Sequence, residues 1–170
     1  MGKKPRVGIV LGSASDRSLG LEIAQTLTEF ELPFELVVAS AHRTPAKAAL
    51  YAQEAAARGL KVLIAVAGLA AHLPGVLAAA TTLPVIGVPA VSGTLGGLDA
   101  LLAIAQMPAG IPVGCVGIAN GRNAALLAVA ILAAFDHNLA RRLKTYRQEL
   151  EAKVEAGEKK LLAELNKNFT

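Results

Sequence analysis

Five short apolar runs punctuate the chain at regular intervals, at residues 6–11, 34–39, 61–67, 84–88 and 112–117. Each is bounded by Gly, Ser or Pro, the pattern of a strand buried on both faces of a parallel sheet. Between them the period changes. Leu19, Ile23, Leu27 and Phe30 fall on one face of a helix expected over 17–31, and helices are also expected over 45–58, 73–80 and 95–106. A long final helix is expected from Asn123 to about Lys153, with the stretch beyond Gly157 forming a further short helix or fraying.

Strict alternation of strand and helix with short connections implies parallel strands joined by right-handed crossovers. The fold class expected is therefore α/β: a three-layer, flavodoxin-like, doubly wound parallel sheet of five strands in the order 2-1-3-4-5, with a long C-terminal helix. With no composition break before about residue 136, residues 1–155 read as one α/β domain and 156–170 as a charged tail.

Charge placement changes the picture. Of the 30 charged residues, 14 lie in the last 35 positions, and between Val62 and Phe135 the only two are Asp99 and Arg122. The first 135 residues are about 12% charged, half the ~25% of ordinary soluble domains. Such a surface calls for burial between subunits or in a bilayer. The bilayer is the weaker reading, because Pro108, Gly110, Pro112, Gly114 and Gly117 interrupt the longest uncharged stretch and a spanning helix needs ~20 predominantly apolar residues.

A net charge of +4 hints at nucleic acid, but the last 35 positions mix eight basic with six acidic residues, and the chain holds four Phe, two Tyr and no Trp. Base-stacking platforms are missing, so neither nucleic acid nor membrane is expected as a partner. The single Cys115 lies in an apolar run and supports neither a disulfide framework nor a cysteine metal site. The start, Met1-Gly-Lys-Lys-Pro, is basic without a secretory apolar stretch, which makes a cytoplasmic location the expectation.

In doubly wound folds ligands bind beyond the carboxyl ends of the strands, near the point where strand order reverses. The loops to inspect are therefore 12–16, 40–45, 68–75, 89–97 and 118–122. The first, Gly12-Ser13-Ala14-Ser15-Asp16, suits an anion at a helix start, or a helix cap formed by Ser15 or Asp16. It is neither a Walker loop nor a full dinucleotide fingerprint, so an ATP or NAD site is unsupported. The second, Ser40-Ala41-His42-Arg43-Thr44-Pro45, ends in a helix start with Thr44 as cap. Neither role needs His42 or Arg43, which add a group that titrates near neutrality and a fixed-charge fork for phosphate or carboxylate; a solvated pair is the bland alternative.

The third loop places His72 in an otherwise apolar turn, where a structural histidine is the bland reading. No acidic or cysteine partner stands at ligand spacing, so no metal is expected. His137, beside the charged tail, reads as a surface residue. Asp99 and Arg122 are each open to three readings: cap, ion pair or subunit contact.

Several blocks in order carry a resemblance: Gly12-Ser-Ala-Ser-Asp16, Ser40-Ala-His-Arg-Thr-Pro45, Ala70-Ala-His-Leu-Pro-Gly75, Thr82-Leu-Pro-Val-Ile-Gly-Val-Pro89, Gln106-Met-Pro108 with Gly110-Ile-Pro-Val113, and Asn123-Ala-Ala-Leu-Leu127. Over about residues 6–140 the chain resembles the N5-carboxyaminoimidazole ribonucleotide mutases, the class I PurE family of de novo purine synthesis. The resemblance implies a flavodoxin-like subunit assembled as a homo-octamer, no cofactor, and a small-molecule ribonucleotide substrate. By this likeness Ser13, Asp16 and Arg43 hold the ribose phosphate end, while Ser15, Ser40, Ala41, Gly68 and Leu73 line the site. His42 is then the acid and base, and His72 stands close to the reacting carboxylate.

The implied reaction moves a carboxyl group from an exocyclic nitrogen to a ring carbon by decarboxylation and recarboxylation. One imidazole, with an ordinary pKa near 6.5, suits both proton transfers, and the apolar run 69–73 suits retention of carbon dioxide. Two rival readings remain: direct carboxylation of aminoimidazole ribonucleotide by carbon dioxide, and a non-catalytic nucleotide-phosphate binding module. The sequence departs from the family pattern at Leu69, where a Gly is usual, at Val91, where a Gln is common, and at 118–123, which is about two residues short. The departures fall on the edge of the implied site.

Overall fold

The computed structural model describes residues 4–169; most of the basic start (1–3) and the last residue of the tail (170) lie outside the described residues. Five parallel strands, β1 (Val7–Leu11), β2 (Phe34–Val38), β3 (Val62–Ala67), β4 (Val85–Pro89) and β5 (Gly114–Cys115), form one sheet in the order β2-β1-β3-β4-β5. Helices α1 (Arg17–Glu29), α2 (Pro45–Ala55), α3 (Leu73–Ala80), α4 (Leu98–Ala105), α5 (Gly121–Ala133) and α6 (His137–Phe169) complete it. The doubly wound architecture and the strand order are those expected from the alternation.

The period of two along each strand sorts the core into two layers. Val7, Ile9 and Leu11 of β1, with Val62, Ile64 and Val66 of β3, pack under α1 and α5. Val10, Leu63, Ala65 and Ala67 face the other way, toward α2, α3 and α4. Alanines at 48, 52 and 55, all fully buried, let α2 approach the sheet closely. Gly87 serves the same end, since a β-carbon there would run into Ile104 of α4 and come within 3.2 Å of Pro74. At the β2 edge, Tyr51 of α2 donates to Glu35 (2.8 Å) and lies under the Arg58 guanidinium (4.6 Å), which itself pairs with Glu35. Burial and the Glu35 carboxylate push the Tyr51 phenol well above its ordinary pKa.

Several element boundaries differ from expectation: α2 stops at Ala55 and not at 58, α4 begins at Leu98 and not at 95, and three further differences have a local reason. The long final helix breaks at Ala134–Asp136, because the Asp136 carboxylate accepts from the Leu139 N–H (3.2 Å) and caps a new helix. Its other oxygen pairs with Arg6 at 2.8 Å, which tethers that cap to the start of β1 and holds the carboxyl below its usual pKa range. Beyond Gly157 the chain neither breaks nor starts afresh, since α6 runs on unbroken to Phe169. Helix α1 ends two residues early, where Glu31 takes a left-handed φ of +52° and the Leu32 N–H returns to the Leu27 carbonyl.

Strand β5 covers only Gly114–Cys115 of the expected run, although the Val116 N–H still reaches the Gly87 carbonyl at 3.2 Å. Arg122 resolves as an ion pair with Glu29 (3.0 Å), its Nε also donating to the Tyr146 hydroxyl. Asp99 sits in the first turn of α4 with Oδ1 buried and without a partner among the described residues. No described helix is long and apolar enough to cross a membrane.

Candidate active site

Strands β1 and β3 are neighbours, yet β1 feeds α1 on one face and β3 feeds α3 on the other. Their outgoing loops must diverge, which leaves a crevice at the carboxyl edge of the sheet. The crevice is a cavity of about 490 Å³, lined by the loops after β1, β2 and β3 and by Ser92 from the loop after β4. Every site residue expected from the sequence lines it: Ser13, Ser15, Asp16, Ser40, Ala41, His42, Arg43, Gly68, His72 and Leu73. A larger groove of about 860 Å³ runs between α1, the start of α5, and α6, away from these loops.

One wall is a tight turn. Residues Ala14–Asp16 form a single 3-10 turn closed by reciprocal caps: Ser13 Oγ accepts from the Ser15 N–H, and Asp16 Oδ2 accepts from the Ser13 N–H at 3.0 Å. The cap is thus Ser13, not Ser15; Asp16 occupies the cap position of α1 without bonding to it. Burial raises the Asp16 carboxyl above its ordinary pKa, against the pull of the Ser13 N–H, Ser15 and the Arg43 charge.

The opposite wall comes from the loop after β2. Ser40 Oγ accepts from the Arg43 N–H (3.2 Å), and the Arg43 guanidinium reaches back to the Gly12 carbonyl (3.2 Å), laying the cation across the mouth of the first loop. Thr44 does not cap α2 through its side chain; its hydroxyl turns back on Ser40, accepting from that N–H at 2.9 Å. That bond frees the start of α2 and braces the loop that presents His42.

The two histidines meet. His42 Nε2 and His72 Nδ1 lie 2.9 Å apart, with the rings edge to face at a centroid distance of 4.9 Å. One hydrogen fits between those nitrogens, so each ring sets the tautomer of the other. Both rings are exposed to the cavity mouth, above the buried Ala71 and Leu73. Leu69, where the resembled family has Gly, stands at φ +55° and is 55% exposed, so it forms a rim of the cavity and not an inner wall.

Ser92 was not among the expected site residues. Its loop lay in the region to inspect, but a lone hydroxyl beside Gly93 carries no charge or spacing that would mark it. Its contact with the Leu69 N–H (3.1 Å) exists only across a crossover. The loop at 118–122 does not reach the cavity, and His137 is exposed at the start of α6.

Known proteins resemble this chain in sequence and fold. Residues 6–153 match the family model described as AIR carboxylase. A Pyrococcus horikoshii protein named N5-carboxyaminoimidazole ribonucleotide mutase is 51% identical over 159 residues, 94% of this chain and 90% of that protein. A Schizosaccharomyces pombe phosphoribosylaminoimidazole carboxylase is 50% identical over 149 residues, 88% of this chain but 27% of that longer protein. Among solved structures, Treponema denticola PurE superposes with a TM-score of 0.77 at 28% identity, covering 98% of this chain and 99% of that one.

Proposed function

The chain belongs to the AIR carboxylase family, and from that premise we propose how its cavity works. It is an isomerase of purine biosynthesis, converting N5-carboxyaminoimidazole ribonucleotide to 4-carboxy-5-aminoimidazole ribonucleotide. The observation that carries the site reading is the His42–His72 contact at 2.9 Å over a cavity whose rim holds Arg43 and Asp16.

Arg43, with Ser13 and Asp16 of the first turn, takes the ribose phosphate end of the substrate. Arg43 is suited to this because its fork is permanently charged and already aimed by Ser40. His42, as imidazolium, gives its proton to the exocyclic nitrogen; the nitrogen–carboxyl bond breaks and carbon dioxide is released. The ring carbon, made electron-rich by the free amine, then bonds to carbon dioxide, and neutral His42 removes the proton from that carbon. His42 ends as it began, so no net proton is consumed. His72 holds the His42 tautomer and lies where the migrating carboxylate passes. Ala41, Gly68 and Leu73, with Ser15 and Ser40 at the polar edge, line a space too apolar to hydrate carbon dioxide readily.

The catalytic unit on this reading is residues 1–155, and it works as a homo-octamer in the cytoplasm. Val91, Leu95, Leu98 and Leu102 are 47–63% exposed in the single chain, a patch that self-association would cover. A native mass of eight chains is the expected outcome of light scattering.

The second reading, direct carboxylation, is favoured by the name of the S. pombe relative and by the description of the family model. One assay separates the two. The carboxyamino substrate is expected to turn over without bicarbonate, while aminoimidazole ribonucleotide gives product only in proportion to added carbon dioxide. Preference for aminoimidazole ribonucleotide plus bicarbonate would reverse the assignment, and binding without exchange of the carboxyl group in either arm would mark a binding module.

A further inference from the structure

We propose that Ser92 is a positioning residue for the histidine pair: its hydroxyl holds the loop that carries His72 in a backbone conformation the loop's own residues disfavour. The inference rests on the reading of His42 and His72 given above.

The loop after β3 turns on two non-glycine residues in the left-handed region, Leu69 at φ +55° and Ala71 at φ +41°. Such conformations persist only where their surroundings enforce them. At its far end the loop is anchored by burial, with Ala71 4% and Leu73 2% exposed, and by the Ala71 N–H on the Gly68 carbonyl (3.1 Å). At Leu69 the enforcement comes from elsewhere in the chain: Ser92 Oγ, from the loop after β4, accepts the Leu69 N–H at 3.1 Å.

The fit is close on both sides. A β-carbon at position 68 would collide with Ser92 Oγ, so the hydroxyl reaches the Leu69 amide only because residue 68 is glycine. The neighbouring Gly93, at φ +67°, lies so near that a β-carbon on it would stand 2.9 Å from Leu69 Cδ2. Ser92 and Gly93 therefore clasp Leu69 at amide and side chain together. Among the described residues His72 has one side-chain hydrogen bond, to His42. With the ring otherwise exposed, its position is set by its backbone, and that backbone starts three residues beyond the amide Ser92 holds.

Ser92→Ala removes the acceptor and Ser92→Thr keeps it. In the full chain the Ala variant is expected to lower kcat by about tenfold to a hundredfold, as a reacting group displaced by about an ångström does, with KM changed by less than about threefold. The Thr variant should recover most of the loss, and the imidazole NMR signals of His42 and His72 should lose their mutual hydrogen bond in the Ala variant only. Wild-type kcat with unchanged imidazole signals in Ser92→Ala overturns the proposal. So does a rise in KM with unchanged signals, which would make Ser92 a substrate contact.

Should Ser92→Ala fail to fold, the Leu69→Gly background serves, because glycine carries no left-handed penalty. There the added Ser92→Ala should fold and leave kcat close to that of Leu69→Gly alone, and a second loss as large as in the parent sinks the idea. His42→Ala run alongside keeps the two readings apart. Retained turnover in that variant refutes the histidine assignment itself, whereas its loss with Ser92→Ala unaffected refutes only the positioning role.

Discussion

The carboxyl edge of this sheet has two halves that look alike in the alternation of strand and helix and differ in what they carry. The loops after β1, β2 and β3 hold Ser13, Asp16, His42, Arg43 and His72, and they converge on one cavity. The loop after β4 and the start of α4 hold Val91, Leu95 and Leu98, all about half exposed or more, and the loops after β4 and β5 contribute only Ser92 to that cavity. Topology accounts for the crevice of the first half. At the boundary between β1 and β3 the outgoing chains leave toward opposite faces and open a crevice, whereas β3 and β4 both send their helices to one face and leave none. Chemistry sits where the fold leaves a gap, and apolar surface sits where another copy of the chain is proposed to lie.

The largest effect expected comes from the first half. His42→Ala should lower kcat by about 10²–10⁴-fold while the ribonucleotide still binds, as read by turnover and calorimetric titration. Turnover near wild type would show that the histidine pair is not the acid–base centre.

Asp16 tests the same half at smaller scale and separates function from stability. Asp16→Asn should raise KM about tenfold or more, the scale of a lost charge-assisted hydrogen bond. It should not lower the melting temperature at pH 7. Burial raises the carboxyl above its ordinary pKa, so the folded chain holds that proton more tightly than the unfolded one. The stabilisation is fully present below the unfolded pKa and is lost as pH rises through the raised value. At neutral pH the ionised Asp16 is thus a cost that Asn avoids, and thermal melts should show the gap between variant and parent narrowing as pH falls into the carboxylate range. A lower melting temperature for the variant at pH 7 would contradict this account.

The smallest effect belongs to the other half. Arg122→Met, at the start of α5 beyond β5, breaks an exposed pair with Glu29 and should cost about 0.2–1 kcal/mol in denaturant unfolding without altering kcat. A drop in kcat would extend the active region across the whole edge and erase the contrast.

Much of this was legible in the residues. The strand runs and the helix spacing of Leu19, Ile23 and Leu27 are local signals of period two and period 3.6, and they suffice to imply a doubly wound sheet. His42 and Arg43 stood out because neither capping nor turn formation requires them. The break before α6 was hidden because Asp136 looks like one more charge at the head of a charged helix. Only its bonds to Leu139 and Arg6, the latter 130 residues away, reveal it as a cap. Ser92 was hidden for the same reason, since a serine's partner is not written beside it.

By itself, then, the order of residues determined which segments are strands and helices, that they alternate, and which loops end at the working edge, because backbone propensity and burial periodicity act over a few residues. The tertiary structure alone decided that His42 Nε2 lies 2.9 Å from His72 Nδ1, that Ser92 holds Leu69, and that Arg43 crosses to Gly12. Those contacts join residues 23 to 31 positions apart. They exist only once parallel crossovers have brought separate loops to one edge, where hydrogen-bond geometry depends on tenths of an ångström that no local pattern encodes.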